Sequence, residues 1–233
     1  MSTVDRERAV IVPPLLAGER LDAVTFHTRY SAMPPSARAE LIDGVVYMPS
    51  PVYPDHGFEG FNVGAWLGYY ASQTAGLRGE DNTSTRLDPS TEVQPDHNLR
   101  IKPEYGGQSG TAREHIIGAP ELIVEISRAT RRIDLGPKKV QYERAGVREY
   151  LVVAIDPDEI YWFVLRDGAF ERMQPGADRL YRSEVFPGLW LDPSACFEGD
   201  LARIIEAVNL GLATAEHRGF VERLARQRAG REA

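Results

Sequence analysis

The chain is poor in cysteine: Cys196 is the single one in 233 residues. One thiol can form neither an internal disulfide nor a cysteine-rich zinc site, which suits a reducing cytoplasm. No apolar run reaches the roughly 18 residues that a membrane span needs. The start, MSTVDRERAV, is charged and has no apolar stretch ahead of a small-residue cleavage site, so no secretory signal is expected. Positive charge is in the minority, with 27 Lys and Arg against 34 Asp and Glu, a net charge of −7. A nucleic-acid coat or a membrane-surface protein needs a dominant positive field, so both are disfavoured, although a locally basic cleft is not. Internal repeats and low-complexity tracts are also missing. The expectation is a soluble cytoplasmic protein, a homodimer or higher homo-oligomer, with no membrane partner.

What is present is ordinary for a folded protein: 42% apolar and 26% charged residues. At about 150 residues per domain, the length fits one large domain with an appendage. We divide it into an N-terminal arm (1–20), a domain (21–195) and a C-terminal helical appendage (196–233). Helical pieces are expected at 22–30 and 35–40, the second after Pro34-Pro35 with Ser36 as its cap and Glu40 at its end. A strand follows at 41–49 with a turn signal at Asp43-Gly44. Apolar residues at helical spacing predict a helix over 56–75, loosened by glycines. Short strands follow around 77–88 and 92–101, then a glycine-rich loop over 102–119. ELIVEIS (121–127) is an almost continuous apolar run, which suits a strand covered on both faces. A helix over 134–145 opens with Asp134 as cap and Pro137 in its first turn, and EYLVVAI (149–155) is a second buried strand. Asp167-Gly168 predicts a hairpin within 160–175, 180–191 adds a strand, and the rest is helical. Strand–helix–strand at 121–155 implies a parallel crossover. The fold class is α/β: a central mixed β-sheet flanked by helices, with an antiparallel strand extension and C-terminal helices.

Four residues stand out against that scaffold: Glu40, Asp96 after Pro95, Glu125 interrupting its apolar strand, and Lys138 early in the following helix. A carboxylate in a buried strand is costly unless something pairs with it. Two carboxylates on neighbouring strands and a third from a packed helix make an oxygen-rich pocket of the kind that Mg²⁺ or Mn²⁺ favours. A lysine beside it can orient water and offset developing negative charge. That set suits metal-assisted phosphodiester hydrolysis.

These residues sit in motifs that resemble a family. The runs are E-L-I-D-G at 40–44, P-S-P followed by His56 (49–56), Q-P-D at 94–96, P-E-L-I-V-E-I-S at 120–127, D-L-x-x-K at 134–138 and Y-E-R-A-G-V-R-E-Y-L-V at 142–152. In this order they are similar to the Uma-type restriction endonuclease family of the PD-(D/E)XK nuclease-like superfamily, directly over about 36–156 and more loosely through 192. The resemblance implies a restriction-endonuclease-like core. It implies a catalytic set of Asp96, Glu125, Lys138, Glu40 and His56, with Asp96, Glu125 and Glu40 as metal ligands. The superfamily usually carries its lysine two residues after the glutamate, where this chain has Ser127. The resembled family takes it from the next helix, and both Lys138 and Lys139 are candidates.

Each residue also has a plainer reading. Asp96 can be a turn residue, Glu40 and Lys138 solvated charges and His56 a packing residue. His97 beside Asp96 has no second ligand at zinc spacing, and the glycines at 106, 107 and 110 lack the ending of a phosphate-binding loop. Segment 128–148 carries an excess of five positive charges. Arg128, Arg131, Arg132 and Lys139 within it are candidate DNA contacts, or else a solvated face or intersubunit ion pairs. The sequence therefore predicts a Mg²⁺-dependent (or Mn²⁺-dependent) DNA endonuclease acting through metal-activated water. The alternative is a non-catalytic nucleic-acid-binding or oligomeric interaction protein on the same fold.

Overall fold

A computed structural model describes residues 12–48, 54–112 and 114–232. The Pro49-Ser50-Pro51 motif and the first eleven residues of the expected arm lie outside them. The chain runs α1 (Ala23–Ser31), β1 (Glu40–Ile42), β2 (Val45–Tyr47), α2 (Pro54–Gln73), β3 (Leu77–Asp81), β4 (Thr85–Asp88), β5 (Thr91–Val93) and β6 (His97–Ile101). Then come β7 (Gly110–Thr111), β8 (Ile116–Ile117), β9 (Leu122–Ser127), α3 (Arg131–Ile133), a π-type segment (Asp134–Lys138), α4 (Lys139–Ala145) and β10 (Glu149–Ala154). The remainder is β11 (Glu159–Arg166), β12 (Ala169–Arg172), β13 (Tyr181–Arg182), β14 (Trp190–Leu191), α5 (Pro193–Glu198), α6 (Leu201–Leu212) and α7 (Ala215–Glu232).

The α/β class holds, with two six-stranded mixed sheets in place of one central sheet. Their strand orders are β2-β1-β5-β4-β8-β7 and β12-β11-β10-β9-β6-β3. β9 and β10 are parallel, with Glu125 opposite Val152, as the crossover reading requires. Both hairpin signals act as expected. Asp43-Gly44 joins β1 to β2 and Asp167-Gly168 joins β11 to β12, with positive φ at all four residues (51°, 75°, 48° and 81°). Two consecutive positive φ values define the turn whose twist matches paired strands.

β9 is buried along its whole length, which is why its sequence is a continuous apolar run. Leu122, Val124 and Ile126 enter one core with Val63, Trp66, Leu67 and Tyr70 of α2. Ile123 enters a second core with Ile42, Val93, Tyr142 and Tyr150. Strand alternation therefore sends Glu125 to the Ile123 side, between the two sheets. The segment expected as an appendage supplies Cys196, Ile204, Val208, Phe220 and Leu224 to the α2 core, so it is fastened to the domain by apolar burial. In the N-terminal arm, Arg20 bridges Val45 and Gly18 N–H donates to the Val46 carbonyl.

Several local expectations are corrected. Residues 35–40 form a turn and an extended stretch, and Glu40 opens β1 instead of ending a helix. Six residues are too few to nucleate a helix without packing, and Leu41-Ile42 pair with Val45-Val46 instead. Asp134 does not cap a helix. The helical stretch begins at Arg131, with Thr130 in the cap position, and Asp134 lies inside it, 2% exposed. Asp96 immediately precedes β6. The 102–119 loop holds a single 3-10 turn (Pro103–Tyr105) and the short strands β7 and β8. The strand expected at 180–191 is two short antiparallel pieces, β13 and β14.

Candidate active site

Glu125 and Lys138 meet because β9 and the helix after it belong to one crossover. Lys138 Nζ lies 2.9 Å from Glu125 Oε1 and 3.0 Å from Glu40 Oε1. Glu40 comes from β1, in the other sheet, so the ammonium ties the two sheets together. Tyr142, one turn beyond Lys138, donates its hydroxyl to the same Glu125 Oε1 at 2.7 Å. Glu40 Oε1 also accepts the Gln94 backbone N–H at 2.8 Å. Asp96 is fixed by the neighbour of Glu125: its Oδ2 accepts the Ile126 N–H at 2.7 Å. His56, in the first turn of α2, places Nε2 3.3 Å from that oxygen. The five predicted catalytic positions are thus brought together around the end of β9.

A fourth carboxylate joins them. Asp134 Oδ1 lies 3.8 Å from Lys138 Nζ. Lys138 is 5% exposed and Glu125 3%, so these charges face one another in a poorly screened interior. Burial pulls the Lys138 ammonium toward neutrality, but Glu125, Glu40 and Asp134 outweigh it and hold the lysine well above its usual range. A lysine held cationic cannot take a proton from water; it can orient water or offset negative charge. Burial pushes the Glu125 carboxyl well up; Lys138 opposes this, while Asp134, Asp96 and Glu40 add to it. Asp96 is held below its ordinary value because His56 and the Ile126 N–H outweigh the effect of its burial. Its carboxylate in turn raises His56 above the ordinary histidine value, against burial.

The donor set fits a hard divalent cation. The bonds given above all end on one oxygen of each carboxylate: Oδ2 of Asp96, Oε1 of Glu125 and Oε1 of Glu40. They leave Asp96 Oδ1, Glu125 Oε2 and Glu40 Oε2 uncommitted by those bonds. Among the described residues no three His, Cys, Asp or Glu stand ready to enclose an ion by themselves. Mg²⁺ is commonly held by one or two carboxylates plus water and substrate phosphate, and Asp96 and Glu125 are the pair this set offers. On the Asp96 side opens a cleft of about 710 Å³ lined by His56, Asp96, His97, Ile126 and the glycine face of α2, while Glu125, Glu40 and Lys138 lie outside its lining.

Other predicted residues are placed elsewhere. Lys139 stacks on the Phe163 ring, 4.7 Å from its centroid, which leaves Lys138 as the lysine of the cluster. Arg128 pairs with Asp55 at 2.9 Å, and Arg131 donates to the Ile155 and Pro157 carbonyls. Arg132 is exposed. The basic stretch is therefore largely engaged within the fold. Sequence reasoning missed Tyr142, although its spacing from Lys138 was a usable signal, and it gave Asp134 a capping role only.

The architecture is that of a restriction-endonuclease-like α/β domain with a carboxylate–lysine cluster at the end of a central strand. The chain belongs to the Uma2 family, described as "putative restriction endonuclease", whose model matches residues 25–194. Among solved structures it is similar to one titled a "putative nuclease belonging to DUF820" from Anabaena variabilis, with a TM-score of 0.53 and 11% identity. That similarity covers 78% of this chain and 97% of the other, and at this identity it speaks for the fold. No curated protein matches the chain. No helix among the described residues is long and apolar enough to cross a membrane.

Proposed function

We propose that the chain is a metal-dependent endonuclease that hydrolyses DNA phosphodiester bonds. The observation that carries this reading is the convergence of Lys138 with Glu125 and Glu40, while Asp96 is hydrogen-bonded to the backbone of the next residue, Ile126. Asp96 and Glu125 would hold Mg²⁺ or Mn²⁺. Such an ion, when bound, polarises the phosphoryl group and lowers the pKa of a water. The chain's own groups do the rest. Lys138 stays protonated and presents fixed positive charge where phosphate charge builds up, which is electrostatic stabilisation by a preorganised group. Glu40 and Tyr142 orient the lysine and the glutamate. His56, on the cleft side of Asp96, pairs its Nε2 with the Asp96 carboxylate at 3.3 Å; when a phosphate enters, the other ring N–H of the imidazolium can donate to it. No covalent enzyme intermediate is needed.

The test is cleavage of supercoiled plasmid, linear duplex and single-stranded DNA in Mg²⁺, Mn²⁺ and EDTA, with Glu125→Gln purified in parallel. The expected result is cleavage that needs metal and falls by about 10²–10³ in the variant, the scale of losing a main electrostatic group. Equal cleavage by both proteins would remove the site assignment. Metal-independent DNA binding without cleavage would favour the non-catalytic module.

A further inference from the structure

We infer that Asp134 is a positioning residue of this site, a third carboxylate that holds the Lys138 ammonium in its place between Glu125 and Glu40. The inference rests on the nuclease reading and deepens it.

Besides Lys138, the Thr130 and Ser127 hydroxyls act on the Asp134 carboxyl and offset part of the upward push that burial gives it. Asp134 does not cap its helix, because Thr130 takes that position and accepts the Ile133 and Asp134 N–H groups through its carbonyl. Its side chain is 2% exposed, and its Oδ2 has no hydrogen-bond partner. A buried carboxylate with an unpaired oxygen destabilises a fold. Violations of that kind concentrate where a site requires them. The helix is kinked across Asp134–Lys138, where Gly136 departs from helical values (φ −110°, ψ −106°) and Pro137 follows. Tyr150, 0% exposed, fixes the kink by donating its hydroxyl to the Asp134 carbonyl at 3.0 Å.

The geometry explains why a third acid is useful. An ammonium has three N–H donors on a flexible four-carbon stem. Glu125 and Glu40 take two directions at 2.9 and 3.0 Å. Asp134, at 3.8 Å, is too distant for a hydrogen bond but close enough for direct attraction. It draws the ammonium toward the helix without consuming the third N–H, which stays available to water or phosphate. Ser127, buried on the same strand as Glu125, is uncharged and faces the Asp134 carboxyl, which it helps to hold down.

Two variants test this, Asp134→Asn and Asp134→Glu, with three readouts: steady-state cleavage in Mg²⁺, thermal melting, and the ¹⁵N-resolved ammonium signal of Lys138. Asp134→Asn keeps the shape and removes the charge. We expect kcat to fall 10- to 100-fold, KM to stay within twofold, Tm to hold or rise, and ammonium hydrogen exchange to quicken at least tenfold. Asp134→Glu, which keeps the charge, should recover part of kcat. Unchanged kcat would overturn the inference. So would a fall in Tm that accounts for the loss of kcat, with no recovery by Asp134→Glu, because that is the pattern of a structural residue. If the wild-type protein cleaves nothing, the nuclease reading fails, and the ammonium signal alone decides: faster exchange in Asp134→Asn sustains the positioning role, and unchanged exchange ends it.

Discussion

Glu149 allows a prediction with a magnitude. It opens β10, is 0% exposed, and receives four donors: Ser183 Oγ at 2.7 Å, Glu184 N–H at 2.7 Å, Val185 N–H at 3.1 Å and Trp162 Nε1 at 3.3 Å. Burial pushes its carboxyl from the ordinary 4.5 up to about 7, even against those donors. The folded protein then binds more protons than the unfolded chain between these two values, so stability must fall as pH rises through that window. A shift of about 2.5 units at 1.36 kcal/mol each amounts to about 3 kcal/mol. The contribution is complete below pH 4.5 and gone above about pH 7. The assay compares urea unfolding of the wild type and Glu149→Gln at several pH values between about 4.5 and 8, the window set by linkage. Other groups titrate in both proteins and cancel in the difference. Glutamine cannot match all four donors, but that penalty is independent of pH and displaces the difference without tilting it. We expect the difference to drift by about 3 kcal/mol in favour of the variant, or roughly 6–12 °C in Tm for a chain of this size. A difference constant to within about 0.5 kcal/mol, the usual limit of additivity, would show that the four donors keep the carboxylate ionised throughout and would refute the reasoning.

Three further outcomes are expected. Lys138→Met should lower stability by about 3–5 kcal/mol, since it strands three buried carboxylates; urea unfolding checks this, and added Mg²⁺ should restore part of the loss by taking over the missing charge. The His56–Asp96 pair should stabilise the fold in full between the ordinary Asp value of 3.8 and the ordinary His value of 6.5, and lose the histidine's share as pH rises from 6.5 through the raised histidine value; a pH titration of His56→Gln should lack that alkaline decline. Gly168→Ala should weaken the β11–β12 hairpin by about 1–2 kcal/mol, because Gly168 has φ +81°, measurable as a lower Tm.

Legibility in the sequence followed physical locality. Glu125 was visible because it broke a run of apolar residues that only a doubly covered strand requires. Lys138 was visible because the crossover that joins β9 to β10 has to return past it. The two turns were visible because Asp-Gly is among the few pairs that tolerate two positive φ values. Glu40 was placed beside the site but on the wrong kind of element, since the pull of Val45 and Val46 on Leu41 and Ile42 is a pairing effect that helix signals do not register. Asp134 was misread because Asp-Leu-Gly-Pro looks like the opening of a helix; its burial is set by β10 and the second sheet. The fate of the basic stretch was illegible for the same reason. Arg128, Arg144 and Arg148 are engaged by Asp55, Asp43 and Gln108, all distant in the chain.

The lysine that joins the two sheets has a consequence for when the site comes into being. Lys138 and Glu125 are 13 positions apart on one crossover unit, and they can meet as soon as that unit forms. Glu40 and Asp96 belong to segments made earlier, separated from Lys138 by 98 and 42 positions, so their arrival requires long-range closure. During synthesis the N-terminal hairpin waits, and the crossover emerges later with half of the constellation. Until the two sheets dock, no fragment of the chain holds all the groups at once. A protein proposed to cut its cell's own polymer would thereby be harmless while incomplete, with the final long-range docking step acting as its arming step.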